Sequence, residues 1–291
     1  MYIDTHCHLN FKDFKDEGDE IIKKTLENGV WMILVGSQYS TSERAVEYAN
    51  KYSEGVYSAI GLHPIHLFNV LAENHDGNGD YKFISQAEEF DEEKYFSLAK
   101  ENKKVVAIGE IGLDYFHLDK EVDINIQKDK QKEIFTKQLI LAHNLNLPVI
   151  IHSRESHEDL LPLLTKFREE YKDNNEKEKE KEKEKEWGVV HCFSGDTKLA
   201  EEYIKLGLLV SFTGLITFSH NWDEVIKDIP LEKIMIETDS PYMAPIPVRG
   251  TRNEPVNVKY VAKKIAELKG TTEKEVEDIT FENAKRLFKL V

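Results

Sequence analysis

Eight short runs rich in β-branched and aliphatic residues recur along this chain, each followed by a stretch with helical periodicity. The runs cover residues 2–6, 31–35, 56–61, 105–110, 148–152, 189–192, 208–213 and 234–238. Helical patterns fill 17–28, 42–52, 91–102, 128–145, 157–171, 197–206 and 222–228, and two more follow at 256–269 and 273–290. Strands that alternate with helices pair in parallel, because a helical crossover returns the chain to the same edge. Eight such units close into a (β/α)8 TIM barrel more readily than they form an open sheet. At 291 residues one domain of this kind is expected, and no linker or internal repeat divides the chain. Two segments read as surface insertions, at about 68–90 and 173–186. The first carries Asn-His-Asp-Gly-Asn-Gly-Asp and is expected to be an exposed loop on the side where barrel active sites lie. The second is a Glu-Lys alternation, read as a solvated helix extension or a disordered loop.

The chemistry sits where the apolar runs stop. The first ends in Asp4-Thr-His6-Cys-His8, and strand alternation turns His6 and His8 to one face. The fourth ends in Glu110, the fifth in His152, the sixth in His191 and the eighth in Glu237-Thr-Asp239. A barrel gathers the C-terminal ends of its strands on one face, so His6, His8, Glu110, His152, His191 and Asp239 are expected to converge. Imidazole and carboxylate suit Zn²⁺, Mn²⁺ and similar divalent ions, and a carboxylate can bridge two of them. Two ions roughly 3.5–4 Å apart can clamp the attacking and leaving oxygens of a displacement. Asp239 is read as general base or proton shuttle, with a pure ligand role weighed equally. Asp4 and Glu237, two positions deeper, are read as acceptors that orient imidazoles.

Composition narrows the partners. Asp and Glu outnumber Lys and Arg by 54 to 39, a formal charge of −15, which opposes a general nucleic-acid-binding module. An enzyme that meets phosphate through bound cations escapes that objection. Two cysteines, Cys7 and Cys192, make no disulfide framework. By alternation both are expected to face the outer helices as buried thiols. No apolar run is long enough to span a membrane and no apolar leader opens the sequence, so a soluble cytoplasmic protein is expected.

These residues resemble the TatD family of metal-dependent deoxyribonucleases among the amidohydrolase-like barrels. The resemblance covers nearly the whole chain. Its carriers are Asp4-Thr-His6-Cys-His8, Gly61-Leu-His63-Pro64, Gly109-Glu110-Ile-Gly112-Leu-Asp114-Tyr115, Ile151-His152-Ser-Arg154, His191-Cys-Phe-Ser-Gly195, Glu237-Thr-Asp239-Ser-Pro241-Tyr242 and the run from Ala244 to Pro255. It implies one metal held by His6, His8 and Asp239, another by His152 and His191, and Glu110 bridging. The two ions would be Mg²⁺, Mn²⁺ or Zn²⁺. It further implies hydrolysis of DNA, as a 3′ exonuclease on single strands or frayed ends, with abasic-site cleavage left open, and leaves repair, salvage and degradation open as pathways; a monomer is expected. His63, Arg249 and Arg252 are expected at substrate phosphates, and Tyr115 and Tyr242 against a base. The rival readings are a hydrolase of a small amide, ester or lactone, and a non-catalytic metal-binding relative. His66, His75, His117, His143, His157 and His220 receive no role.

Overall fold

A computed structural model of the protein describes residues 1–14, 16–74, 81–171 and 186–290. Among the described residues are ten strands: β1 Tyr2–Cys7, β2 Val30–Val35, β3 Val56–Ile60, β4 Leu71–Asn74, β5 Tyr81–Ile84, β6 Val105–Asp114, β7 Val149–Arg154, β8 Gly188–Val190, β9 Leu208–Phe212 and β10 Ile234–Ile236. Nine α-helices are described: α1 Gly18–Glu27, α2 Tyr39–Asn50, α3 Glu92–Glu101, α4 Ile124–Leu145, α5 His157–Glu170, α6 Thr197–Lys205, α7 Asp223–Asp228, α8 Val258–Lys269 and α9 Glu273–Phe288. Several begin on a side chain that satisfies an otherwise unpaired amide. Asp91 accepts from Lys94 N, Asp123 from Asn125 N, Asp196 from Leu199 N and Thr272 from Glu275 N.

Eight strands form one parallel sheet in the order β1-β2-β3-β6-β7-β8-β9-β10. The seam between β10 and β1 is closed just past the strands, by a parallel bridge from Cys7 to Ser240. There His8 N donates to Ser240 O at 2.8 Å and Asp239 N to His6 O at 2.8 Å. This is the barrel read from the alternation of strands and helices. In the first insertion β4 and β5 pair antiparallel, with Leu71 opposite Ile84, and the turn-rich stretch at 75–80 lies outside the described residues. Of the second insertion only Glu186 lies within the described residues, where it pairs with Lys233 and Arg286.

The period-2 pattern builds two cores. Ile33, Ala59, Ala107, Ile150, Val189, Leu209 and Met235 cluster with Leu287, Phe288 and Leu290 of the C-terminal segment. The opposite parity, including Ile108, Ile151, Val190, Val210 and Ile236, packs against the helices. Each fully buried aliphatic side chain in these layers stabilises the fold by about 1.5–3 kcal/mol. Continuing the inner column by two positions gives His152 after Ile150, His191 after Val189 and Glu237 after Met235. The same alternation aims these three at the mouth, whereas Glu110, out of phase with Ala107, follows the register shift between Ile108 and Ile111.

Candidate metal centre

At that mouth the six expected side chains meet. Glu110 lies in the middle, on the long strand β6. Its Oε2 is 3.4 Å from His6 Nε2 and 3.9 Å from His8 Nε2. Its Oε1 is 2.8 Å from both His152 Nδ1 and His191 Nε2. Asp239 Oδ1 closes one side, 3.2 Å from His8 Nε2 and 3.8 Å from His6 Nε2. One carboxylate oxygen therefore faces each pair of imidazoles. His191 and Asp239 lie beyond the ends of β8 and β10, where the chain turns through left-handed backbone at Cys192 (φ 45°) and at Asp239 itself (φ 54°). Non-glycine residues at positive φ are uncommon and concentrate at functional sites.

Three of the four imidazoles have a partner beside the far nitrogen, whereas His6 Nδ1 is buried without one. His8 Nδ1 donates to Val35 O at 2.8 Å, which turns Nε2 toward Asp239. His191 Nδ1 faces Glu237 Oε1 at 3.3 Å, and Cys192 N donates to the same oxygen at 2.7 Å. His152 Nε2 lies 3.5 Å from Asp114 Oδ2. Such partners fix the tautomer and orientation of ligating histidines. The result is that the near nitrogens point at each other: His6 Nε2 to His8 Nε2 at 3.1 Å, and His152 Nδ1 to His191 Nε2 at 3.3 Å. Lone pairs this close repel unless a proton or cation lies among them, so the donor set fits divalent ions.

The electrostatics agree. Burial alone would raise the Glu110 carboxyl, but His63, His191 and His6 hold it well below the ordinary range. Burial opposes ionisation of Asp239 too, and the His8 hydrogen bond with the His6 charge prevails to lower it. His6 is pushed down by burial and then by His191. His191 rises well above the imidazole range, because Glu110 and Glu237 outweigh its burial.

Other placements differ from expectation. His63 reaches the cluster, with Nε2 3.3 Å from Glu110 Oε1. Its Nδ1 accepts from Ile65 N at 3.1 Å, so its Nε2 hydrogen faces Glu110, and with Glu110 and His152 it forms a further group able to hold an ion. Asp4 touches no imidazole ring. It accepts from Thr238 N at 2.9 Å, from the Thr238 hydroxyl and from His6 N at 3.2 Å, tying β1 to the chain after β10. Tyr115 gives its hydroxyl to Asp159 at 2.7 Å and lies outside the cleft. Arg252 is drawn to Asp13 O and Glu17 and lies over the Phe14 ring, a pairing favoured by the acidic surface. Arg249 stacks on Phe218 at 3.6 Å and does not line the cleft either. Tyr242 does line it. Cys7 packs outward among α1 and α2 residues, past the register shift that separates it from the inward Ile3. Cys192 does not. Its positive φ turns it into the cleft, with Sγ 3.7 Å from Met243 Sδ.

The cleft above the cluster has a volume of about 400 Å³. Three contributors were not singled out from sequence. Asp114 accepts from His117 Nδ1 at 2.7 Å and faces His152; its signal was the parity it shares with Glu110 and Gly112. Arg154 lines the wall with its guanidinium 3.9 Å over Phe116. His117 carries no pattern of its own.

A buried His/Asp/Glu cluster at the C-terminal mouth of a (β/α)8 barrel defines the metal-dependent hydrolases of this fold. The model of the TatD-related DNase family matches residues 3–289. The uncharacterized metal-dependent hydrolase YabD of Bacillus subtilis is 39% identical, over 100% of both chains. Human deoxyribonuclease TATDN3 is 29% identical over 98% of this chain and 94% of its own. The crystal structure of YJJV, a TatD homolog from Escherichia coli, superposes with a TM-score of 0.80 at 28% identity, covering 100% of this chain and 98% of its own. The chain belongs to the TatD family and is a metal-dependent hydrolase.

Proposed function

We propose that this protein hydrolyses phosphodiester bonds in DNA, removing nucleotides from the 3′ end of single strands or frayed ends. The observation that carries the reading is Glu110, whose two oxygens are divided between two imidazole pairs. His6, His8 and Asp239 would hold one ion, His152 and His191 the other, and Glu110 would join them. Divalent ions held there would supply positive charge for phosphoryl oxygens and would acidify a water. Asp239, ionised and facing the cleft, takes the proton of that water and returns it to the leaving oxygen. His63 offers its Nε2 hydrogen, and Arg154 its guanidinium, to the phosphate. Glu237 and Asp114 keep His191 and His152 in register. A cleft walled by protein favours a strand end over the middle of a duplex.

One observation favours a smaller substrate, an ester, amide or lactone. Arg249 and Arg252 are held away from the cleft, and Arg154 is the one arginine in its lining among the described residues. Digestion of end-labelled single-stranded DNA, with EDTA and with Mg²⁺, Mn²⁺ or Zn²⁺ restored, decides between them. Metal-dependent release of mononucleotides from the 3′ end is expected. In Glu110→Ala turnover should fall at least about a thousandfold with loss of bound metal. No cleavage by protein shown to hold two ions, together with turnover of a lactone or ester, would establish the smaller substrate.

A further inference from the structure

Beside the metal centre, the same cleft is walled by a polar chain that the proposed chemistry does not use. Ser156 Oγ donates to Leu113 O at 2.9 Å. Ser153 Oγ lies 2.9 Å from Ser156 Oγ and 3.0 Å from His157 Nδ1. The same nitrogen is 2.8 Å from the hydroxyl of Tyr203, a fully buried side chain. On the far side of the ring, His157 Nε2 is 3.3 Å from Ser194 Oγ. Ser194 is exposed, and both Ser153 and Ser194 line the cleft.

Counting hydrogens assigns the directions. The three contacts Leu113–Ser156, Ser156–Ser153 and Ser153–His157 need three hydrogens, and the two serines own two. A carbonyl only accepts, so Ser156 gives its hydrogen to Leu113 and Ser153 gives its own to Ser156. The third hydrogen therefore sits on His157 Nδ1, shared between Ser153 and Tyr203, and Tyr203, which also contacts Ser153, turns its own hydroxyl hydrogen to Ser153 Oγ. A tautomer with bare Nδ1 would leave two oxygens, or an oxygen and a nitrogen, in contact with no hydrogen between them. Burial pushes the His157 pKa down to about 4, so near neutral pH the ring carries only that one hydrogen. Its Nε2 is then an acceptor, and Ser194 satisfies it by donating.

We infer that Ser194, its hydrogen committed to His157, presents lone pairs to the cleft and forms a subsite for a hydrogen-bond donor on the group next to the scissile ester. This rests on the proposed phosphodiesterase reading only for the name of that group. In a nucleotide, the donor is a sugar hydroxyl or a base N–H. Ser194 is the contacting residue. His157, Ser153 and Tyr203 act through it by fixing which way its hydrogen points. A phosphate oxygen, which only accepts, is served elsewhere, by His63 and Arg154.

Two measurements test this. The first needs no activity: ¹⁵N correlation spectra of the full-length protein labelled at histidine report the His157 tautomer. A bare Nε2 with hydrogen on Nδ1 is expected; hydrogen on Nε2 overturns the proposal. The second compares Mn²⁺-loaded protein on thymidine 5′-(p-nitrophenyl) phosphate, its 3′-deoxy analogue and its N3-methyl analogue. Wild type should show a KM about tenfold higher for whichever analogue lacks the recognised donor, at nearly unchanged kcat. Ser194→Ala should abolish that difference, and Ser194→Thr, which keeps the hydroxyl, should restore it. Equal KM for all three substrates in wild type overturns the subsite. If none is hydrolysed, the phosphodiesterase reading fails. Equilibrium binding of thymidine and its two analogues to the wild type and to Ser194→Ala then tests the donor subsite by itself. Weaker binding of one analogue to the wild type, with no such difference in Ser194→Ala, is expected; equal binding of all three to the wild type overturns it.

Discussion

Gly112 ties the backbone of β6 to the position of a candidate ligand, and one methyl group tests the connection. It pairs directly with His152 in the β6–β7 ladder. Its φ is +151°, and a Cβ built there would lie 2.0 Å from the His152 carbonyl oxygen. Ordinary contact begins at 3.4 Å, so Gly112→Ala requires the His152 backbone to retreat by about 1.4 Å. Overpacking of this kind costs about 1–3 kcal/mol, and a fold with this core is expected to survive it. The site is less tolerant. His152 Nδ1 is 2.8 Å from Glu110 Oε1, and a shift near 1 Å in reacting groups can cost roughly a hundredfold in rate. Metal content by plasma mass spectrometry, kcat/KM on end-labelled DNA and Tm by calorimetry separate the effects. The expected result is loss of about one ion per chain and at least about a hundredfold in kcat/KM, with a cooperative melt. Gly29→Ala is the control. Its φ is +72°, but nothing lies within 4 Å of the added methyl. It should cost about 1–2 kcal/mol of stability and leave turnover intact. A Gly112→Ala protein with full metal content and wild-type kcat/KM would refute the argument that this backbone sets the site.

Asp114→Asn removes the charge facing His152, and metal affinity measured by competition with a chelating dye should fall about 10–100-fold while the fold persists. Arg154→Ala should raise KM for DNA about tenfold, whereas Arg252→Ala, whose guanidinium is held by Glu17, should lower Tm and leave KM alone; the reverse pattern would exchange their roles. His66 is held near pKa 4 by burial, against 6.5 in the open chain, so the unfolded state binds more protons between those values. Stability contributed by this group is therefore full above about pH 6.5 and lost as pH falls to 4, by about 3 kcal/mol. Urea melts of His66→Gln should show a correspondingly smaller loss between pH 7 and pH 4; an unchanged slope would assign the acid sensitivity elsewhere.

The ligand set was legible because strand alternation and barrel geometry are local rules. Apolar runs bring their ends to the barrel's mouth, and alternation carries His152 inward from Ile150, whereas Glu110 and His6 are out of phase with the inward Ala107 and Ile3 and follow register shifts in β6 and β1. What escaped depended on partners distant in sequence. Arg252 is claimed by Glu17, Tyr115 by Asp159 and Asp4 by Thr238, and nothing in the immediate sequence of any of the three announces its partner. Cys192 was misplaced for a different reason. Alternation holds only within a strand, and β8 stops at Val190, after which a positive φ reverses the direction of the side chain. The His157 chain was invisible because it begins at a helix N-terminus, where neither periodicity applies.

The closing seam has a consequence for the protein's synthesis. The bonds from His8 N to Ser240 O and from Asp239 N to His6 O join residues more than 230 positions apart, and three of these four residues border the candidate centre. A ribosome releases His6 and His8 long before Asp239, so a growing chain holds only part of the ligand set. Closure and the assembly of the His6–His8–Asp239 trio are one event. A hydrolase built this way is born inactive, and stays so until the barrel around it is complete.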